Sequence, residues 1–255
     1  MGLSVQVLGP LRVHREGTPV HLTAQARAVL ALLALGEGVP ISSGQLIKAL
    51  WPAAPPRTAR DQVQNLIAAL RRALGPRIPG GGRAARGSDS LITTEPVGYV
   101  LCLPSGQLDL EVFRATLAVA RQCRAQGRLA DALARYEKGL DLWSGVPCGD
   151  IDRPSVSDLA EPLTQVHADT VEEWAELAVA QGHGARVALR LRPVLAAHPF
   201  RERMQELLMR ALCQAGRRPE ALIVYQEGRR RLAEELGVDP SPSLQTLYRD
   251  LLQPA

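Results

Sequence analysis

Two distant segments of the chain share one pattern. They are AQGRLADALARYEKGL from Ala125 and QAGRRPEALIVYQEGR from Gln214. Aligned, Gly127 falls over Gly216, Ala132-Leu133 over Ala221-Leu222, and Tyr136 over Tyr225. A glycine that closes one helix, followed by Ala-Leu and an aromatic on the next, is the packing signature of tetratricopeptide-like helix pairs, although the repeat is weak and Ala/Leu/Arg-rich helices also resemble one another by chance. AQGHGARVALRLRPVLAAHP from Ala180 is a degenerate third copy, ending at Pro199 as the last copy ends at Pro240. This part begins where LDLEVFRATLAVARQC opens a helix. We place the domain boundary at Pro104 to Gly106, giving domains 1–103 and 104–255.

Residues 1–103 follow a different rhythm. LSVQVLG alternates Leu3, Val5 and Val7 on one face, and LRV and PVHL follow at short turn-separated intervals, the signature of a small antiparallel sheet. Thr23 caps a helix through AQARAVLALLALGEG that Gly36 stops. ISSGQLIKALWP is a second, short helix, with Ser42 or Ser43 as its N-cap and Pro52 as its breaker. RTARDQVQNLIAALRRAL, from Arg57, is a third. GPRIPGGGRAARGSDS can bury almost nothing and reads as a loop, and LITTEPVGYVLCL reads as two short strands around a Pro-Val-Gly turn. Sheet, three helices and a closing hairpin spell a winged helix-turn-helix. The whole chain is therefore expected to be mainly helical with a small β component: a winged helix followed by an all-α repeat domain.

Charge separates the two parts. Lys and Arg against Asp and Glu number 11 against 5 in residues 1–103 and 19 against 21 in residues 104–255, so the net +4 is the sum of +6 and −2. Such asymmetry suits a module that faces nucleic acid joined to one that does not. No apolar run approaches the roughly 20 residues needed to span a bilayer, and MGLSVQVLGPLRV is not a signal peptide. The expected location is the cytoplasm, in association with the nucleoid, with no membrane partner. Cys102, Cys123, Cys148 and Cys213 lie far apart without a C-x-x-C pair, and the five histidines lack i, i+4 pairing, so no disulfide framework, metal or cofactor is expected. No phosphate-binding glycine loop or nucleophile elbow occurs, and an enzyme is not expected.

The third helix carries the chemistry. With Val63 at zero, Ala59, Leu66, Ile67, Leu70 and Leu74 fall within about 60° on a helical wheel. Arg60, Gln64, Ala68 and Arg71 form one flank, and Asp61, Asn65 and Arg72 lie opposite the stripe. Such a face can simply be solvated. As the third helix of a winged helix, however, it is the one that enters a major groove. Gln64 and Asn65 offer paired donor and acceptor atoms to adenine, and Arg60 can fork onto guanine. Arg57, Thr58, Arg71 and Arg72, near the helix ends, suit phosphates, which position without specifying. Asp61 either accepts from a cytosine amine or orients Arg60, and we prefer the second.

Several of these motifs, in the same order, resemble the Streptomyces antibiotic regulatory protein family: VLGPLRV, LIKALWP, PPRTAR, LRRALG and GYVL, then the long block AHPFRERMQELLMRALCQAGRRPEALIVYQEGRRRLAEELGVDPSPSLQTL. The resemblance covers nearly the whole chain. It implies an OmpR-like winged helix, a bacterial transcriptional activation domain, and a pathway-specific activator of secondary-metabolite clusters. Such an activator binds direct repeats in double-stranded promoter DNA near the −35 element as a homodimer, and recruits RNA polymerase holoenzyme through its sigma factor. It also implies Tyr99 of the wing at the DNA. Two departures reduce phosphate contact: Ala68 and Ala69 stand where the family has Ser-Arg, and Glu95-Pro96-Val97 where it has Arg before Gly-Tyr. Arg77, Arg83 and Arg86 of the long loop are candidates to compensate.

In KALWPAAPPR, Pro52, Pro55 and Pro56 hold the segment between the second and third helices extended. The resemblance makes this loop the polymerase contact, through Trp51, Ala53, Ala54 and Arg57. Trp51 reads equally as a core residue closing the second helix. No receiver or ATPase module accompanies the winged helix in this sequence, so control is expected through abundance, or through a ligand or partner at the second domain. The alternative is a helical-repeat adaptor whose N-terminal domain binds protein rather than DNA.

Overall fold

The computed structural model describes residues 2–76 and 90–253. They divide into two compact units. One comprises residues 1–119 and 138–165, the other residues 120–137 and 166–255.

In the first unit, β1 (Leu3–Gln6), β2 (Arg12–Arg15) and β3 (Thr18–Pro19) form an antiparallel sheet in that order, with Val5 opposite Val13. Leu3, Val5, Val7 and Val13 are buried and Gln6 and Arg12 are exposed, the alternation expected of a half-buried strand. α1 (Ala24–Leu35) starts at Thr23, whose side chain accepts the Ala26 N–H at 3.3 Å. Nine of its twelve residues are buried, so it is the central helix rather than a surface one. α2 (Ser43–Leu50) opens on a capping box: Ser42 Oγ accepts from Gln45 N, and Gln45 Oε1 accepts from Ser42 N. Trp51 ends α2, and α3 (Ala59–Leu74) follows. β4 (Ile92–Glu95) and β5 (Gly98–Leu101) pair antiparallel around Pro96-Val97. The loop expected over 75–90 falls largely on residues 77–89, outside the described residues, as do Arg77, Arg83 and Arg86.

Gly98 seats this hairpin. Tyr99 and Ile41 exchange both backbone hydrogen bonds at 2.9 Å, and a Cβ on Gly98 would lie 2.2 Å from the Ile41 carbonyl oxygen. Only a residue without a side chain lets the two backbones approach so closely.

The first unit does not end with the hairpin. α4 (Asp109–Ala125) begins with a carboxylate that accepts the N–H groups of Val7 and Leu8 at 2.9 and 3.0 Å as well as that of Leu110. Burial pushes the Asp109 carboxyl above its usual range while the N–H donors of Leu8, Val7 and Leu110 pull it back. Farther along, Asp150 accepts the Leu11 N–H at 2.8 Å and pairs with Arg27. The Cys148 N–H donates to the Gly9 carbonyl at 2.7 Å, and Arg153 reaches the Leu50 carbonyl at 2.7 Å. The segment after Lys138 thus fills the hydrogen-bonding positions left open along β1 and its loop.

In the second unit each expected repeat is present at a tight turn. Gly127, Gly182 and Gly216 have φ of 73°, 81° and 72°, a left-handed conformation that only glycine adopts cheaply. After each, an N–H reaches back five residues: Arg128 to Cys123, His183 to Ala178 and Arg217 to Leu212, at 2.8–2.9 Å. Five residues past each glycine Ala132, Val187 and Ala221 are fully buried, and nine past each Tyr136, Leu191 and Tyr225 are buried. The degenerate copy therefore keeps the spacing and replaces the aromatic with Leu191. α5 (Leu129–Leu140), α6 (Pro154–Ala180), α7 (Gly184–Ala197), α8 (Glu202–Gln214), α9 (Arg218–Leu236) and α10 (Pro242–Leu252) complete the chain. Ion pairs lace the second unit, among them Arg121–Glu173, with Tyr136 Oη donating to the same carboxylate, and Arg124–Glu176–Arg203.

Candidate nucleic-acid interface

α3 buries Ala59, Val63, Ile67, Leu70 and Leu74, while Leu66 is half-buried. The opposite face exposes Arg60, Asp61, Gln64, Asn65, Ala68 and Arg72. Two guanidinium groups and two amides thus lie on one exposed helical surface with one carboxylate beside them. At the N-terminal end Arg57 and Thr58 are exposed. Thr58 gives the first turn no side-chain cap; its hydroxyl oxygen accepts from Gln62 Nε2 at 3.0 Å. Arg57 and Arg60 stand beside this helix start, with Asp61 the acidic residue of the first turn.

The C-terminal end of α3 is built differently from its sequence expectation. Arg71 is half-buried, its Nε donating to the Ile92 carbonyl at 2.9 Å and its Nη2 to Thr94 Oγ1 at 2.8 Å. This guanidinium ties the helix to β4 through two of its five N–H donors. Arg72 stays exposed, with Nε 3.4 Å from the Ala68 carbonyl. Arg15, from β2, lies over Gly75 and joins Arg71 and Arg72 around a hollow of about 260 Å³ floored by Pro76 and Ser90. Sequence reasoning did not single out Arg15, because nothing local to β2 signals its meeting with the end of α3.

Tyr99 calls for a correction. The resemblance put it at the DNA, but the residue is only 8% exposed and its strand is pinned to Ile41, so the ring serves the core beneath the hairpin. The exposed tip is Pro96-Val97, with Val97 67% accessible. In the loop before α3, Pro52, Ala53, Ala54, Pro55 and Arg57 are exposed, whereas Trp51 is half-buried, between its two sequence readings. The structure therefore brings Arg57, Thr58, Arg60, Gln64 and Asn65 onto one end and face of α3 with Ala53 and Ala54 adjoining, holds Arg71 against β4, and leaves Tyr99 buried.

Among the described residues no group of three or more His, Cys, Asp or Glu side chains is placed to hold a metal ion, and no helix is long and apolar enough to cross a membrane. The four cysteines are unpaired by disulfides, with Cys123 and Cys148 buried.

Comparison with known proteins agrees with this architecture. Residues 17–101 match the family model described as "Transcriptional regulatory protein, C terminal", and residues 108–252 match "Bacterial transcriptional activator domain". The regulatory protein AfsR of Streptomyces coelicolor is 37% identical over 97% of this chain, which spans 24% of AfsR. The transcriptional regulatory protein MoaR1 of Mycobacterium tuberculosis is 32% identical, with 97% of this chain and 78% of MoaR1 aligned. The regulatory protein DnrI of Streptomyces peucetius is 29% identical over 98% of this chain and 92% of its own length. Among solved structures, Mycobacterium tuberculosis EmbR in complex with a low affinity phosphopeptide superposes with a TM-score of 0.83 at 31% identity, over 99% of this chain and 66% of that one.

Proposed function

We propose that this chain, which belongs to the Streptomyces antibiotic regulatory protein family of transcriptional regulators, binds direct repeats in promoter DNA near a −35 element and activates a secondary-metabolite gene cluster. The observation that carries this reading is the free face of α3, where Arg60, Gln64 and Asn65 are exposed opposite a continuous buried stripe. Gln64 and Asn65 address adenine and Arg60 guanine. Arg57, Thr58 and Arg72 hold phosphates. Two copies bind as a homodimer on adjacent repeats, within the cytoplasmic nucleoid. Activation proceeds through the exposed loop Ala53, Ala54 and Arg57, with Trp51 at its root, against the sigma factor of RNA polymerase holoenzyme.

One experiment separates reading from recruitment. Full-length protein and its variants are footprinted on promoters of neighbouring biosynthetic genes and assayed by transcription in vitro on the same templates. Arg60→Ala, Gln64→Ala and Asn65→Ala each relax preference at particular base pairs by about 1–3 kcal/mol, detected by binding-site selection. Replacing Ala53, Ala54 and Arg57 with Asp removes transcription while occupancy largely persists, with Arg57→Ala alongside to subtract its phosphate contact. Unchanged site preference in the first three variants removes α3 as the reader, and equal loss of occupancy and transcription in the loop variant removes the recruitment step.

A further inference from the structure

A cavity of about 710 Å³ opens within the first unit between α1, β5 and the start of α4. Its walls are apolar: Leu33 from α1, Val100, Leu101 and Leu103 from the hairpin strand and its continuation, and Leu108 before α4. The volume lies in the range of about 300–1,000 Å³ typical of small-molecule sites, and the mixture of apolar walls with a few polar groups is also typical. The charged groups facing it are Glu37, Glu95, Glu111 and Arg114.

Their balance is one-sided. Arg114, the single cation, is forked onto Glu37 and neutralised there. Glu111 accepts only the Ser105 hydroxyl at 3.2 Å, and among the described residues neither Glu111 nor Glu95 has an ion-pair partner. Glu37 is also held at φ 49°, a left-handed conformation uncommon for a side-chain-bearing residue, directly before Gly38. This is the turn that ends α1, where a left-handed residue after the C-cap is a common helix termination, and it holds the Glu37–Arg114 pair at the cavity rim. An anionic ligand would meet two carboxylates that have no ion-pair partner among the described residues, whereas a cation is attracted to both. A monocation with an apolar body satisfies both walls and rim.

We infer that this cavity is a binding site for an amphipathic amine, a small apolar molecule carrying one ammonium group. The ammonium lies between Glu95 and Glu111 and the apolar body against Leu33, Val100, Leu101 and Leu108. Because β5 forms one wall and Glu95 ends β4, occupancy bears directly on the hairpin that Gly98 seats on Ile41.

The test uses the full-length chain and three isosteric probes: 4-phenylbutylamine, 4-phenylbutan-1-ol and 4-phenylbutyrate, followed by calorimetry. The amine binds at least about tenfold more tightly than the alcohol, through its attraction to two carboxylates at the cavity rim, and the butyrate does not bind measurably. Combining Glu95→Gln with Glu111→Gln brings the amine down to the level of the alcohol. Arg114→Gln frees Glu37 and strengthens amine binding several-fold, a gain that a folding defect cannot produce. Cys102 lines the cavity and Cys213 does not, so bound amine slows iodoacetamide labelling of Cys102 and leaves Cys213 unchanged. Equal binding of the three probes, absence of amine binding, or binding with Cys102 labelling unaltered each overturns the assignment. No DNA enters the experiment, so its outcome is independent of whether α3 reads a promoter.

Discussion

Replacing Gly98 with alanine tests how the hairpin is held. The added Cβ would stand 2.2 Å from the Ile41 oxygen, 2.4 Å from its carbonyl carbon and 2.8 Å from the Ser42 nitrogen. All three are backbone atoms, so no rotamer change relieves the contact. Ordinary contact begins at 3.4 Å, and the hairpin must retreat by about 1 Å. That distance breaks the two 2.9 Å hydrogen bonds between Ile41 and Tyr99, at about 1 kcal/mol each, with a further cost if a buried partner stays unpaired. The expected loss is about 2–4 kcal/mol. Gly17→Ala provides the control, since nothing lies within 4 Å of a Cβ there and only its φ of 81° is strained, a cost of about 1 kcal/mol. Urea denaturation gives both numbers, and hydrogen exchange at the Tyr99 and Ile41 amides locates the damage. Equal losses in the two variants, or a Tyr99 amide as protected in Gly98→Ala as in the parent, would refute the close-approach reasoning.

Arg71→Ala is expected to lower stability by about 1–3 kcal/mol, because two hydrogen bonds from a charged donor to β4 disappear. Its salt slope of DNA binding should stay near the parent's, whereas Arg72→Ala should flatten that slope by about one unit; the two titrations distinguish a wing anchor from a phosphate contact. Gly216→Ala should cost about 1 kcal/mol through its φ of 72°, measured by the same denaturation, and a neutral result would mean that the turn conformation is not what fixes the helix pair. Burial, then the charges of Arg190 and His198, lower the His167 pKa from 6.5 to about 4. The unfolded chain therefore takes up the proton first, and stability falls as pH drops from 6.5 to about 4, by about 3 kcal/mol in all. His167→Gln should remove that component of the pH profile, and a profile identical to the parent's would place the titration elsewhere.

The helical pairs were legible in sequence because each depends on a glycine and on apolar positions five and nine residues later, all within one turn-and-helix unit. Even Leu191 in place of tyrosine left the spacing intact. The α3 stripe was equally local, and its buried set matches the helical wheel at every position but Leu66, which stays half-buried. What sequence could not show were meetings between distant segments. Arg71 has the same spacing on α3 whether it faces a phosphate or Ile92, and only the return of β4 decides between them. Tyr99 lies in a GYVL motif whose alternation leaves either face open until Ile41 pairs with it. Arg15 becomes part of the α3 terminus only because β2 passes over Gly75.

The carboxylates of Asp109 and Asp150 constrain how a gene of this kind can be cut and rejoined. The two family models meet between residues 101 and 108, which looks like a natural crossover point for shuffling effector modules. A crossover there would deliver the winged helix without acceptors for the N–H groups of Val7, Leu8 and Leu11, all of which Asp109 and Asp150 satisfy. Each donor stranded away from water costs about 1–3 kcal/mol, comparable to the whole margin of a small domain once three are summed. A chimera that imports a foreign helical module must bring a carboxylate to both places or keep residues 108–119 and 138–165 of the parent. The winged helix and the first stretches of the activator domain share one compact unit, so exchange at the boundary between the family models cuts through it.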